Sequence, residues 1–334
     1  MTKAHHQPDM AVLGGGAWGT ALACVLAQQH ASVKLWANEA DTVSVINQNH
    51  ENTQFLPGIE LPKAIQATEN LADLACADII LMVVPAQFAR GVLSELAQHN
   101  TKAMLVLCAK GIERRSLKLM SDVAAEVWPS AQIAVLSGPS FAADVARGLP
   151  TAVTLAVENA DKGDYLAAHI GTAHFRPYLS NDIIGAEIGG AIKNVLAIAC
   201  GIVAGKGLGE SARAAVTARG FAEMSRLGAA LGAQGETLGG LSGLGDLILT
   251  CSSTQSRNFS LGQALGQGAE AATVLGARNS VSEGAMSAAA VTTLADKHAL
   301  DMPICCAVDA IVSGTISVDE AIAELLARPI TREI

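Results

Sequence analysis

From residue 10 onward, the apolar positions fall into two alternating rhythms. Short β-rich runs stand at 10–13 (MAVL), 32–37 (SVKLWA), 77–84 (ADIILMVV), 103–109 (AMLVLCA), 132–137 (QIAVLS) and 151–157 (TAVTLAV). Between them, over 17–29, 86–98, 116–127 and 140–147, apolar residues recur at helical spacing. Runs without polar alternation suit strands buried on both faces, and strands alternating with helices imply a parallel sheet covered on each side. Past residue 182 the strand signal stops. Helical periodicity then covers 183–204, 210–232, 256–267, 282–299, 303–313 and 317–327. Ser280-x-x-Glu283 and Ser317-x-x-Glu320 read as capping boxes, and Pro303 suits a first helical turn. The pattern predicts a flexible leader over 1–8, a doubly wound α/β domain over 9–181 and an all-helical domain over 182–330.

One helix breaks its own pattern. In IGAEIGGAIKNVLAIACGI (184–202), Ile184, Ile188, Ile192, Val195, Ile198 and Ile202 share a broad face at 100° per residue. Lys193 falls on the opposite face, among Ala186, Gly189, Gly190, Ala197 and Cys200. A lysine there either runs its stem along apolar surface to water or is held in a desolvated site for chemistry. The small face either admits another backbone or leaves room for a ligand.

Composition narrows the classes. A chain of 334 residues is long enough for two cores. A net charge of −9 supplies no basic stripe for phosphates and argues against a nucleic-acid partner. The seven cysteines show no paired C-x-x-C spacing, so no metal site is expected and buried free thiols in a reducing cytoplasm fit best. A redox role for Cys305-Cys306 stays open. The start, MTKAHHQPDM, has no signal-peptide core. Uninterrupted apolar runs near ten residues are too short to span a bilayer, so a cytoplasmic protein without a transmembrane segment is expected.

The first strand–helix junction reads MAVLGGGAWGTALA, with Gly14-x-Gly16-x-x-Gly19 at the turn. In this context the glycines permit a tight turn, close approach of a pyrophosphate and close helix packing, and the helix N-terminus offers N–H groups to the anion. A Rossmann-type dinucleotide site is predicted. After the second strand stands Asn38, neutral and without a neighbouring arginine, so neither NAD nor NADP is excluded.

Ligands of open α/β sheets bind beyond the carboxyl ends of the strands. That rule selects Pro85 and Phe88 after one run, Lys110 after the next, and Gly138, Pro139 and Ser140 after a third. In the helical part, Asp246 in GLGDLILTC and Arg257-Asn258 in TQSRNFSLG are polar islands. Asp246 suits a turn or cap as well as chemistry. Arginine at a helix start suits phosphate or carboxylate, and equally a surface ion pair.

Taken together, GGGAWGTALA, VVP, Lys110-Gly111, SGPSFA, GGAIKNVLAIA, GLGDLILTC, SRN and VSEG resemble NAD(P)-dependent glycerol-3-phosphate dehydrogenases of the bacterial biosynthetic type, in order over residues 9–330. Their two-domain plan is shared with 6-phosphogluconate and β-hydroxyacid dehydrogenases, so the fold alone does not choose the substrate. The resemblance implies NAD(P)H as cofactor, no metal, a homodimer, and reduction of dihydroxyacetone phosphate to sn-glycerol 3-phosphate for phospholipid synthesis. It makes Lys193 the general acid and base, Asp246 its orienting partner and Lys110 a second catalytic cation. Substrate contacts then fall on Lys110, Gly138, Ser140, Lys193, Asn194, Asp246, Ser256, Arg257 and Asn258. Cofactor contacts fall on Gly14, Gly16, Ala17, Trp18, Gly19, Asn38, Pro85, Phe88, Lys110, Ala142, Arg257, Val281 and Glu283. Asn38 replaces a basic residue of the family, and Ala17 a common serine.

Overall fold

The computed structural model describes residues 7–100, 102–276 and 282–330. The expected leader lies outside these residues except for Gln7 and Pro8, as do Val281 and the Ser280 of one expected capping box.

The chain divides into two compact units. The first runs to Lys110 and resumes over Lys118–Glu187; the second takes Gly111–Leu117 and the chain from Ile188. The strands of the first unit are β1 (Met10–Leu13), β2 (Val33–Trp36), β3 (Glu51–Asn52), β4 (Leu56–Glu60), β5 (Ile65–Thr68), β6 (Ile79–Met82), β7 (Met104–Leu107), β8 (Gln132–Ser137), β9 (Thr151–Ala156) and β10 (Phe175–Ser180). Eight form one sheet in the order β10-β9-β8-β7-β6-β1-β2-β5, while β3 and β4 pair as a separate hairpin. The order reverses beside β1, whose Leu13 pairs with Trp36 on one side and Met82 on the other.

The expected all-parallel sheet needs one correction. β8 and β9 pair antiparallel, Val135 opposite Ala156, so β9 and β10 run against the rest. The connection of β8 to β9 carries only the short helix α5 below.

Both faces are covered, as the unbroken apolar runs require. Met10, Val12, Ile79 and Leu81 belong to one core with Ala21–Leu26, Val145, Leu166 and Ile170; these come from helices α1 (Ala17–Leu26), α5 (Ala142–Ala146) and α6 (Ala160–Ile170). Ala11, Leu13, Ile80 and Met82 belong to the other, with α3 (Ala86–Leu96) and α4 (Met120–Val127). α2 is Ala40–Asn49, which precedes α3 in the chain and joins the first core through Ile46.

The second unit is helical: α7 (Ile183–Gly205, its first residues in the other unit), α8 (Glu210–Leu231), α9 (Gly235–Gly239), a π turn (Leu241–Gly245), α10 (Asp246–Cys251), α11 (Arg257–Gly266), α12 (Ala271–Gly276), α13 (Glu283–Lys297), α14 (Pro303–Val312) and α15 (Val318–Leu326). Ser317 and Glu320 form the expected capping box of α15, and Pro303 opens α14. α7 is long and apolar enough, by length and composition alone, to cross a membrane, which the count of unbroken runs did not anticipate. Nearly all of it is buried inside the protein. Of the cysteines, Cys76 and Cys306 are exposed and the other five are buried free thiols.

Candidate active site

In the α/β unit the glycine turn is built by steric exclusion. Gly14 has φ +129°, and a β-carbon there would meet the Val83 carbonyl carbon at 3.0 Å. One on Gly19 would strike the Gly14 carbonyl, so the helix packs on the turn only without it. Gly16 is different: nothing lies within 4 Å of where its β-carbon would be. The turn is closed on its sheet side and open on the other. α1 starts there with no side-chain cap and no acidic residue in its first turn, so its N-terminus is suited to an anion. These residues fit a dinucleotide's pyrophosphate.

Four of the expected contacts come together beside this turn. The Lys110 ammonium donates to the Gly138 carbonyl at 3.2 Å and lies 6.0 Å from the centre of the Trp18 ring. The Ser140 hydroxyl donates to the same carbonyl at 2.9 Å. Gly138 has φ +149°, and a β-carbon would sit 2.9 Å from the Val153 Cα, so a glycine is required where β8 turns away. The indole N–H of Trp18 and the hydroxyl of Ser137 are buried without a protein partner. Ala17, Trp18 and Ala142 all pack on the same core, through α1 and α5. Asn38 is exposed two residues beyond β2, Pro85 caps α3, and Phe88 one turn later is 54% exposed.

In the helical unit, Lys193 does not reach for bulk water. Its residue is 6% exposed, and the ammonium donates to Asp246 Oδ1 at 2.7 Å and to Thr250 Oγ1 at 3.0 Å. Asp246 is 0% exposed. Isolating two charges from water costs several kcal/mol per ion, so this pair is weak evidence for stability and better evidence for a task. Asp246 and Thr250 stand one turn apart on α10, so both reach the same ammonium. Thr250 escaped the sequence reading because a threonine within LILTC carries no charge to mark it. Asp246 opens α10, and its carboxylate accepts from the Lys193 ammonium.

Of the two readings of the small face of α7, approach of another backbone holds at Gly189. A β-carbon there would lie 2.8 Å from the Ser242 carbonyl carbon and 2.9 Å from Gly243 Cα. The π turn is thus seated on α7, and Asp246 is the next residue along.

Asn194 points to a different partner from its neighbour. The Asn258 amide donates to Asn194 Oδ1 at 3.0 Å, and Asn258 Oδ1 accepts from the Ser282 hydroxyl (2.9 Å) and the Gly284 N–H (3.1 Å). The Asn258 carboxamide thereby ties α7 to the starts of α11 and α13. Ser256 caps α11, its hydroxyl oxygen accepting from the Phe259 N–H. Arg257, between them, is exposed at the first position of α11. Glu283, half-buried, begins α13, and Val281 lies outside the described residues. No group of three metal-ligating side chains occurs among the described residues.

Comparison with known proteins follows these two arrangements. The NAD-dependent glycerol-3-phosphate dehydrogenase N-terminus matches residues 9–162, and the corresponding C-terminus matches residues 182–323. A glycerol-3-phosphate dehydrogenase [NAD(P)+] of Parvibaculum lavamentivorans is 59% identical over 334 residues, all of both chains. One from Caulobacter vibrioides is 58% identical over 96% of this chain and 98% of its own. The crystal structure of glycerol-3-phosphate dehydrogenase from Coxiella burnetii superposes with a TM-score of 0.93 at 39% identity, over 96% of this chain and 99% of that one. Matches of this length through both units make the chain an NAD(P)-dependent oxidoreductase, a member of the NAD-dependent glycerol-3-phosphate dehydrogenase family.

Proposed function

We propose that the protein interconverts dihydroxyacetone phosphate and sn-glycerol 3-phosphate, acting in the cytoplasm in the reducing direction to supply phospholipid synthesis. The observation that carries the chemistry is the buried contact of Lys193 with Asp246 and Thr250. A nicotinamide dinucleotide held at the glycine turn would supply the hydride. As negative charge develops on the carbonyl oxygen, Lys193 stabilises it and delivers a proton there; in the opposite direction the same nitrogen takes the proton. Asp246 and Thr250 accept from the ammonium and so fix its direction. Their burial means no water reorganises around them when the charge moves.

The phosphate is assigned to Arg257 and the N-terminus of α11. The guanidinium offers two parallel donors, and the first turn of α11 carries no acidic residue. Asn194 and Asn258 hold this helix start through their mutual hydrogen bond. Lys110, anchored on Gly138, supplies a second positive charge.

The test is oxidation of NADH and of NADPH with dihydroxyacetone phosphate, by the parent and by Lys193→Met. The variant should lose at least about a hundredfold in kcat, the scale of a positioned acid–base group. NADH binding should hold, because the glycine turn is untouched. Near-parental turnover would return Lys193 to a purely structural part.

A further inference from the structure

We propose that Asn52 is the positioning residue of the dinucleotide turn. From behind the turn it sets the direction of the Gly15–Gly16 peptide, and with it the amides offered to the pyrophosphate. The inference deepens the cofactor assignment above and rests on it.

Asn52 lies at the end of β3, in a hairpin outside the main sheet, and is 1% exposed. Its carboxamide makes three hydrogen bonds, each buried or part-buried. The amide nitrogen donates to the Gly15 carbonyl at 2.8 Å and to Thr20 Oγ1 at 2.8 Å, while Oδ1 accepts from the Phe55 N–H at 3.1 Å. Chemistry fixes which end of the amide is which. A carbonyl only accepts and a backbone N–H only donates, so nitrogen must face Gly15 and oxygen must face Phe55. The Thr20 hydroxyl, itself 0% exposed, makes a longer contact to the same Gly15 carbonyl at 3.4 Å.

The consequence passes through one planar bond. A trans peptide directs its C=O and the following N–H to opposite sides, and there are no cis peptides among the described residues. With the Gly15 oxygen held inward by Asn52, the Gly16 N–H is directed outward. Outward is the open side: no atom lies within 4 Å of the position a Gly16 β-carbon would take. A flip of this peptide would present a carbonyl to the phosphate instead. Glycines flanking a bond oppose such a flip weakly, because both residues tolerate either backbone setting. The restraint comes from a side chain about forty residues downstream.

The alternative is that Asn52 merely anchors its hairpin, and binding measurements on the full-length protein separate the two. Dissociation constants for NADH, ADP-ribose and adenosine are measured for the parent and for Asn52→Ala, with circular dichroism to show that the variant is folded. Losing a buried bond that acts on the amides should weaken NADH and ADP-ribose about tenfold. Adenosine, which lacks the pyrophosphate, should stay within about twofold, and the kinetic loss should fall on the cofactor KM rather than on kcat. Asn52→Asp sets an acceptor against the Gly15 carbonyl and should weaken NADH further. If Asn52→Ala does not fold, Thr20→Val carries the test, with a smaller loss of the same selectivity. Unchanged NADH binding, or an equal loss on adenosine, would overturn the proposal. Should the parent bind NADH yet fail to reduce dihydroxyacetone phosphate, the substrate reading fails while these binding arms still decide the role of Asn52.

Discussion

Replacing Gly189 by alanine sets two well-measured effects against each other. Within a long helix, alanine is favoured over glycine by about 1 kcal/mol. Here, however, the new β-carbon meets backbone carbons of Ser242 and Gly243 at 2.8 and 2.9 Å, with the Ser242 carbonyl oxygen closer still. Favourable carbon contacts begin near ~3.5 Å, so the π turn must retreat by most of an ångström. It has little room to do so, since Gly243 is itself pressed on the Leu238 backbone. Overpacking of this kind costs about 1–3 kcal/mol, and backbone on both sides argues for the upper end. The expected net is a loss of about 1–2 kcal/mol, seen as a Tm lower by several degrees. Activity should suffer more than stability. Asp246 follows the turn directly and holds Lys193 at 2.7 Å, and ångström-scale misplacement of a catalytic group costs on the order of a hundredfold in rate. Thermal unfolding and steady-state kinetics on one preparation test both halves. A variant with raised Tm and parental kcat would show propensity acting alone, and would refute the seating of the π turn on α7.

Arg257→Ala should lower kcat/KM for dihydroxyacetone phosphate by about 2 kcal/mol, through loss of a charge-assisted partner. Activity on dihydroxyacetone itself should scarcely change, and an equal loss on both substrates would remove Arg257 from the phosphate. Asn38→Asp should shift preference toward NADH by repelling a 2′-phosphate, measured as the ratio of kcat/KM for the two cofactors; an unchanged ratio places residue 38 away from the adenosine ribose. Glu187, fully buried, has its carboxyl pushed up to about 7, chiefly by desolvation and further by Asp122, against the N–H and hydroxyl of Ser121 that favour its charge. The folded state therefore binds the proton more tightly than the unfolded one. Its contribution to stability is complete below about pH 4.5 and is lost as pH rises through about 7. Glu187→Gln should gain on the parent by about 1–3 kcal/mol between pH 5 and 8 in denaturant titrations. A difference flat with pH would mean that Glu187 stays charged throughout.

What the residues made readable follows from how much each signal depends on distant chain. Strands such as ILM and VLS announce themselves because they are buried on both faces, whereas the edge strand β10, FRPYLS, is half exposed and mixed in character. The hairpin β3–β4 carries a proline and a glycine inside LPGIE, which read as loop. The reversed β8–β9 pair leaves no mark in the composition of either strand, since QIAVLS and TAVTLA are buried runs like those of the parallel strands. Charged site residues were legible singly, since lysine and aspartate are conspicuous in apolar surroundings. Thr250 and Asn52 were not. Their importance lies in what they face, and hydroxyl or carboxamide groups are ordinary in a sequence until a partner is known.

The seam between α7 and α11 bears on how this chain can vary. Gly201 and Gly205 on one helix meet Gly262 and Gly266 on the other. A β-carbon on Gly201 would lie 2.8 Å from the Gln263 nitrogen, one on Gly262 2.8 Å from the Ile198 carbonyl carbon, and those on Gly205 and Gly266 would sit 3.0 Å from backbone across the seam. No side chain separates the two helices at these points, so their spacing cannot be retuned by exchanging one packing residue for another. α7 carries Lys193, and α11 begins with Arg257. The spacing of the helices that carry Lys193 and Arg257 is consequently gauged by bare main chain, a ruler with no adjustable part. Four residues that touch no ligand should then be as intolerant of change as those that do, and the length of substrate this scaffold accepts should drift more slowly than the identity of the groups that hold it.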